Sequence, residues 1–578
     1  MKILMTGNEA IARGAYEYGI SVAAAYPGTP STEILENIAK YPEIYSQWSP
    51  NEKVAMEVGI GAAIAGARAM VTMKMVGVNV AADPLFTVAY TGVRGGLVLV
   101  SADDPGMHSS QNEQDNRYYA AFAKIPLLEP SNSQECKEMV GLAMTISENF
   151  DTPVMIRTTT RIAHSQSEVE LKEPSERPIK AYEKDALKYV MLPAHGRARR
   201  LAVEARDKRL SEYTESVEVN SIEMNDPAIG IITSGISYQY VKEGVPRASV
   251  LKLGLTNPLP KRLIRDFASQ VEKLFVVEEL EPYIENAIKA LGIKVTGKEL
   301  FPSYGELSAR DVREKITGVP GPNLEVPFQS PMRPPVMCPG CPHRGVFYVL
   351  HQLKLIVSGD IGCYTLGAGA PLEAIDTTIC MGASISGALG MEKAHPELAE
   401  KMVAVIGDST FCHSGVTGLM DVVYNGGNTT VIILDNSITA MTGHQDNPST
   451  GKTLMGQPAP KVDFVALCKA LGVKRVTEVD PFDLDRVKEV VKTEVAAKEP
   501  SVIITRRPCA LIIKNTEKPV EVQECTGCKV CLKLGCPALS FDEESKTVLV
   551  DTSLCTGCGV CTKVCKFNAL RKAGESNE

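Results

Sequence analysis

The chain has 578 residues, 44% of them hydrophobic and 22% charged, and a net charge of −8. At ~150 residues per domain that length predicts about four domains, and the acidic balance lacks the basic footprint of a nucleic-acid binder. Residues 54–70, the most apolar helical stretch, are broken by Glu57 and Arg68 and too short to span a bilayer, and no secretory leader opens the chain, so a reduced, cytoplasmic, non-membrane protein is expected.

Residues 1–165 alternate short apolar runs (21–25, 97–100 and 153–156) with Ala/Gly-rich helical stretches, the pattern of an α/β domain with a parallel sheet. Ser49-Pro50-Asn51-Glu52 reads as a helix capping box, with Ser49 as N-cap, Pro50 at N1 and Glu52 at N3. It opens a helix ending Gly66-Ala67-Arg68-Ala69-Met70. The polar run 101–115 reads as a solvated loop. Residues 166–226 turn charged and predict a linker carrying a solvated helix around the basic run 197–200.

A second α/β domain is expected over 227–318, with strands at 228–233, 250–253 and 273–277. Glu278, Glu279 and Glu281 beyond its last strand are either acid/base candidates or a charged edge. The Pro/Gly-rich segment 319–336 predicts an extended linker. A third α/β domain, 337–514, has strands at 402–406, 430–434 and 501–505. Gly407-Asp408-Ser409 follows the first of these and Asp435-Asn436-Ser437 the second, with Asn436 twenty-eight residues past Asp408. Both polar groups fall at carboxyl ends of strands, where open parallel sheets bind ligands, and together they offer hard oxygens to Mg2+ with room for phosphate. The same residue types also form turns. Cys338-Pro-Gly-Cys341, Cys363 and Cys509 lie in this domain, and on spacing alone zinc, a redox dithiol or buried thiols would explain them.

The tail, 515–578, holds Cys525-x2-Cys528-x2-Cys531-x4-Cys536 and Cys555-x2-Cys558-x2-Cys561-x3-Cys565. This is the ligand spacing of a two-cluster ferredoxin, in which the fourth cysteine of each run serves the other cluster. One 4Fe-4S centre is therefore assigned to Cys525, Cys528, Cys531 and Cys565, and the second to Cys555, Cys558, Cys561 and Cys536. Zinc ribbons use C-x2-C pairs too, but not two tight triplets. Two departures stand out: the extra Gly535 before Cys536, and Lys566 where a proline is usual. Cys136, Cys380, Cys412 and Cys468 lack partner spacing and read as small buried hydrophobes.

Gly407-Asp408 spaced to Asn436 resembles the thiamine diphosphate motif. In it the Asp and Asn side chains and the carbonyl two residues past the Asn, here Ile438, hold magnesium. Met441-Thr442-Gly443-His444-Gln445 is similar to the stretch bordering diphosphate and substrate in the 2-oxoacid:ferredoxin oxidoreductases. With the ferredoxin-like tail, the chain most resembles the alpha subunits of the indolepyruvate ferredoxin oxidoreductase branch of that thiamine-dependent family, over essentially its whole length.

The resemblance implies a multidomain α/β fold: a thiamine pyrimidine-binding domain (1–165), a transketolase C-terminal-like domain (227–318), a thiamine diphosphate/Mg-binding domain (337–514) and a 2x[4Fe-4S] ferredoxin-like domain (515–578). It implies that Thr29, in Ala25-Tyr26-Pro27-Gly28-Thr29-Pro30-Ser31, lies near a 2-oxo acid, and that Glu52 activates thiamine through the aminopyrimidine N1'. That outweighs the cap for Glu52, which could do both. His444 joins them as a catalytic residue, and Gly407, Ser409, Thr442 and Gly443 join Asp408, Asn436 and Glu52 around the cofactor. Lys74, Asn79, His108 and Gln111 either face substrate or are solvated. Cys338, Cys341, Cys363 and Cys509 match the ligands of a third, proximal [4Fe-4S] cluster.

The expected reaction is oxidative decarboxylation of an arylpyruvate such as indolepyruvate, with coenzyme A as acyl acceptor and an external ferredoxin as electron acceptor. A smaller beta subunit in an α2β2 assembly is the implied partner. The alternatives are the same chemistry on pyruvate or 2-oxoglutarate, a nonredox thiamine decarboxylase or synthase, and a pure electron-transfer subunit.

Overall fold

Runs such as Leu97–Asp103, buried at all seven positions, need cover on both faces, and the chain builds mainly parallel sheets from them. The computed structural model describes residues 1–175, 178–321, 328, 329, 331, 333–514 and 517–572, and forms two compact units, Met1–Pro327 and Phe328–Glu578. Within the expected linker 319–336, residues 322–327, 330 and 332 lie outside the described residues.

In the first unit, strands Leu127–Leu128, Val154–Thr159, Leu97–Asp103, Ala69–Lys74, Val22–Ala25 and Tyr45–Trp48 pair in that order, all parallel. A second sheet runs Lys273–Val277, Asp226–Ser234, Ala248–Leu253 and Ser221–Glu223, parallel except for the last. Directly after Leu253 the chain crosses over, and Leu255–Asn257 joins the edge of the first sheet antiparallel to Leu127–Leu128. The two α/β domains of this unit thus share a strand.

Three expectations are corrected here. The segment 166–226 is docked rather than a solvated linker. Its strand Gln166–Glu170 pairs antiparallel with Lys2–Thr6, and its helix Pro193–Tyr213 buries Val203, Arg206 and Leu210. The Arg206 guanidinium donates to the carbonyls of Ala89 (2.8 Å) and Asp151 (2.9 Å), and Arg199 to that of Tyr90 (2.7 Å), so the charge serves main-chain acceptors instead of water. The edge after Lys273–Val277 is not exposed either. Glu278 is 3% exposed, accepts from Arg117 at 2.5 Å and receives the Ile284 and Glu285 amides, while Glu279 receives the Leu307 amide. Only Glu281 remains at the surface. Finally, the helix opened by Glu52 ends at Ile64: Gly66 turns the chain at φ +102°, and Ala69 and Met70 already belong to a strand.

In the second unit six parallel strands run Thr377–Thr378, Ile356–Gly359, Met402–Gly407, Thr430–Asp435, Ser501–Arg506 and Arg475–Val479. The tail forms two small antiparallel pairs, Val520–Val522 with Leu570–Lys572 and Leu539–Asp542 with Thr547–Val550. One apolar core joins the two parts, since Phe347, Val403 and Leu434 pack in the same cluster as Leu534, Val548 and Leu570. The cysteine-rich tail is therefore built onto the sheet domain.

Candidate functional site

In the first unit the loop after Val22–Ala25 and the ends of Ala69–Lys74 and Leu97–Asp103 gather polar residues. The N-cap of helix Glu52–Ile64 is Asn51, whose side chain accepts from the Val54 amide at 2.9 Å, so Glu52 stands at N1 and not N3. The expected Ser49 capping box fails because the Ser49 amide is already bonded to the Ala25 carbonyl at 2.7 Å, which holds residue 49 in the extended path leaving the sheet. Glu52 is 5% exposed. Its carboxyl group lies against Gly77, where a Cβ would come within 2.7 Å of Glu52 Oε1.

Thr29 is half-buried, and its carbonyl accepts from Ser109 Oγ at 3.1 Å. Lys74 is buried under Gly28 and donates to the Ser109 carbonyl at 2.5 Å; burial pulls its pKa down to about 8. Asp104 gathers the same loop, accepting from the Ser109 amide, Ser110 and Thr160. The other polar candidates do not join this group: Asn79 accepts from Tyr119, His108 pairs with Glu306 at 3.2 Å, and Gln111 is exposed.

In the second unit Asp408 directly follows Met402–Gly407, and Asp435 and Asn436 end the neighbouring strand, where Gly407 pairs with Leu434. All three side chains are buried. Burial, then the nearby Asp435, raises the Asp408 pKa to about 7. Asp435 already accepts from Arg506 Nε at 2.9 Å and from Ser437, so Asp408 is the carboxylate that fits a cation, and the Asn436 side chain and the Ile438 carbonyl follow on the same turn. A π-helical turn, Phe411–Gly415, begins three residues past Asp408, a distortion that recurs at functional sites.

Around this end Ser409 accepts from Thr439 at 3.0 Å, Thr442 donates to Gln445, Gly443 has φ +123°, and His444 Nε2 is buried without a hydrogen-bond partner. Sequence reasoning missed two residues here. Asp435 was hidden by the attention its neighbour Asn436 drew. Asp360 is fully buried and accepts the Ile361, Gly382 and Ser384 amides, fixing the loop that carries Cys363.

The cysteines fall into groups through their mutual influence. Burial drives Cys341 up to about 12 and Cys363 to about 11. Cys363 and Cys338 also act on Cys341, and Cys509 and Cys338 on Cys363. In the tail Cys531 is raised by burial and by Cys565, Cys528 and Cys525. Cys561 is driven to about 12 by burial, with Cys558, Cys536, Cys555 and Cys531 adding to it. Each triplet thus lies near the fourth cysteine of the other run, with Cys531 close to both groups.

A pocket is lined by Cys341, Cys536, Cys555, Cys558 and Cys561. Among the described residues no three His, Cys, Asp or Glu side chains converge on one ion. Sets of four cysteines are the thiolate donors of 4Fe-4S centres, so the donor set suits clusters. The Cys509 amide donates to the Asn436 carbonyl at 3.0 Å, which ties one cysteine group to the Asp408 end of the sheet. Of the four remaining cysteines, Cys136 and Cys468 are buried and Cys412 is half-buried. Cys380 is exposed, contrary to expectation, because it lies in the turn before helix Ala383–Ala394.

Three family models match the chain: the thiamine-binding domain of pyruvate flavodoxin/ferredoxin oxidoreductases over residues 13–219, the C-terminal thiamine pyrophosphate-binding domain of thiamine enzymes over 360–505, and a 4Fe-4S binding domain over 548–571. Indolepyruvate oxidoreductase subunit IorA of Archaeoglobus fulgidus is 41% identical, with 99% of this chain and 98% of that protein aligned. The corresponding subunit of Pyrococcus horikoshii is also 41% identical, over 99% and 97%. Among solved structures, a 2-oxoglutarate:ferredoxin oxidoreductase from Magnetococcus marinus aligns at 16% identity with a TM-score of 0.46, covering 55% of this chain and 65% of that one. With full-length identity at this level, the chain belongs to the indolepyruvate oxidoreductase alpha-subunit family of thiamine diphosphate-dependent, iron-sulfur 2-oxoacid:ferredoxin oxidoreductases.

Proposed function

We propose that the chain oxidatively decarboxylates arylpyruvates, indolepyruvate among them, with coenzyme A as acyl acceptor. The products are an aryl-acetyl-CoA, CO2, the thiol proton and two electrons, and the electrons leave singly for an external ferredoxin. The observation that carries the redox reading is the hydrogen bond from Cys509 to Asn436, which joins a cysteine group to the end of the sheet that suits magnesium and diphosphate. A nonredox decarboxylase with clusters as staples has no need of that adjacency. The choice of an arylpyruvate is supported by the names of the relatives alone.

Asp408, Asn436 and the Ile438 carbonyl would hold Mg2+, with Gly407, Ser409, Thr442 and Gly443 around the diphosphate. Bound there, thiamine diphosphate supplies the carbon nucleophile and the electron sink. Glu52 holds the proton at the aminopyrimidine N1', Thr29 positions the oxo acid, and the half-buried His444, its Nε2 enclosed and unpartnered, serves as a proton carrier. Cys338, Cys341, Cys363 and Cys509 would hold a proximal cluster, and the tail cysteines two more in the crossed pairing. A smaller beta subunit completes an α2β2 enzyme. No described helix is long and apolar enough to cross a membrane, which accords with the cytoplasmic location proposed here.

Lys74 and Thr29 both bond to Ser109, and the Lys74 ammonium is assigned to the substrate carboxylate. With a pKa of about 8, it carries its charge below that pH and loses it above. kcat/KM for the oxo acid should therefore fall as pH rises through about 8, because this parameter reports the free enzyme. In Lys74→Met the profile should be lower and without that limb. The check is kcat/KM from pH 6 to 10 at saturating coenzyme A.

The substrate reading is tested by viologen reduction with indolepyruvate, phenylpyruvate, pyruvate and 2-oxoglutarate, each with and without coenzyme A. Coenzyme-A-dependent reduction confined to the arylpyruvates supports it. Preference for pyruvate or 2-oxoglutarate overturns the substrate and leaves the chemistry.

A further inference from the structure

Arg344 is the second residue of helix His343–Leu353 and is 4% exposed. A buried charge is costly unless an opposite charge accompanies it. No Asp or Glu pairs with Arg344 among the described residues. Its Nη2 donates to the carbonyls of Met337 (2.6 Å) and Cys338 (3.1 Å) and its Nη1 to that of Leu534 (2.7 Å), while its Nε is buried with no partner.

Those carbonyls belong to two cysteine loops. Met337 and Cys338 open Cys338-Pro-Gly-Cys341, and Leu534 stands two residues before Cys536. The guanidinium also lines the cavity it shares with Cys341, Cys536, Cys555, Cys558 and Cys561. The Cys338 loop also touches the second cysteine run, since a Cβ on Gly340 would fall 2.4 Å from Thr556 Oγ1, beside Cys555.

The unusual four-residue spacing of the first run falls at the same place. Gly535, the extra residue, has φ +65°, and a Cβ there would lie 2.8 Å from Pro371 and 3.5 Å from Arg344 Nη1. Only glycine combines that backbone with that closeness without strain. The insertion therefore lets the Leu534 carbonyl turn onto the guanidinium as the chain passes it.

We propose that Arg344 is a positioning residue shared by two iron-sulfur centres, the one held by Cys338, Cys341, Cys363 and Cys509 and the one held by Cys536, Cys555, Cys558 and Cys561, and that its positive charge raises the reduction potential of both. This rests on the cysteine grouping proposed above. A cluster on four thiolates is anionic and gains one more negative charge when it accepts an electron. A fixed cation in a low-dielectric pocket stabilises that added charge. Because one cation serves both centres, it moves their potentials together. The step between them is preserved while both are raised relative to the centre of Cys525, Cys528, Cys531 and Cys565.

The test uses the anaerobic holoenzyme with its small subunit, comparing wild type, Arg344→Met and Arg344→Lys by iron content and by potentiometric titration followed by electron paramagnetic resonance. Three clusters give about twelve iron atoms per chain. In Arg344→Met the reduced-to-oxidised ratio at a fixed poise should fall about tenfold at both centres, equivalent to about 59 mV for one electron. The third centre should stay where it is. Arg344→Lys keeps the charge and should stay within about twofold of wild type at both.

Unchanged potentials in Arg344→Met, a shift at one centre only, or an equal shift at all three overturns the proposal. Should Arg344→Met load less iron than wild type, Arg344→Lys decides: a tenfold fall there means geometry and not charge is responsible, and the proposal fails. About eight iron atoms per chain in the wild type would instead overturn the cysteine grouping, and the role of Arg344 with it.

Discussion

Glu52→Gln is expected to lower kcat by about 10²–10⁴-fold, the range of general acid–base contributions, while thiamine diphosphate still binds. The side chain is buried at N1 of its helix with its carboxyl group against Gly77, so the isosteric amide should keep the packing and lose only the proton-holding function. Asn51, not residue 52, caps the helix, and the substitution should leave stability nearly unchanged. Gly77→Ala provides the companion. Its Cβ would come within 2.7 Å of Glu52 Oε1, and the displaced carboxyl group should lower kcat in the same direction. Steady-state viologen reduction, thermal denaturation and cofactor titration separate these effects. A Glu52→Gln enzyme within about threefold of wild type would remove Glu52 from the chemistry.

Asp408→Ala is expected to abolish stoichiometric thiamine diphosphate binding and lower turnover by more than about 100-fold. Removing an outer-shell partner of a metal already costs 10–100-fold, and a direct ligand should cost more. The side chain is buried, crowded by Asp435 and raised to about 7, a state that a divalent cation would relieve. Iron content should stay at the wild-type level, since Asp408 is not among the cysteine groups. Chelation of Mg2+ from the wild type should reproduce the loss reversibly. If Asp408→Ala binds the cofactor normally, the strand-end assignment fails. If the wild type binds none, the chain is an electron-transfer subunit.

The strands were legible because burial on both faces demands continuous apolar runs. The expected strands at 402–406, 430–434 and 501–505 each reach one residue further in the structure, and that at 273–277 coincides. The two-domain character of 1–318 was also legible, but the shared strand Leu255–Asn257 was not, since a short strand at a crossover has no periodicity to show.

The misreadings have a common cause in long-range pairing. Ser49 and Asn51 are both good N-cap residues, and only the bond from Ser49 to Ala25 decides between them. Glu278 reads as surface charge until Arg117, 161 positions away, is placed against it. The arginines of helix Pro193–Tyr213 read as solvated because their partners are carbonyls, which carry no sequence signature.

At the candidate site, the tight spacing of the tail cysteines made them legible within one segment. Cys338, Cys341, Cys363 and Cys509 needed a family resemblance, because the fold must close before four positions spread over that distance can meet. Asp360, Asp435 and Arg344 went unnoticed. Each acts through backbone groups or through a neighbour that drew the attention instead.

Oxidation of a 2-oxo acid at the thiamine site should feed the clusters, and a single turnover without an acceptor shows whether it does. Oxidised holoenzyme is mixed anaerobically with indolepyruvate and coenzyme A, without external acceptor, while CO2 and cluster reduction are followed together. CO2 and reduced clusters should appear at matching rates, with about two electrons per CO2. CO2 released at full rate with the clusters still oxidised would contradict it.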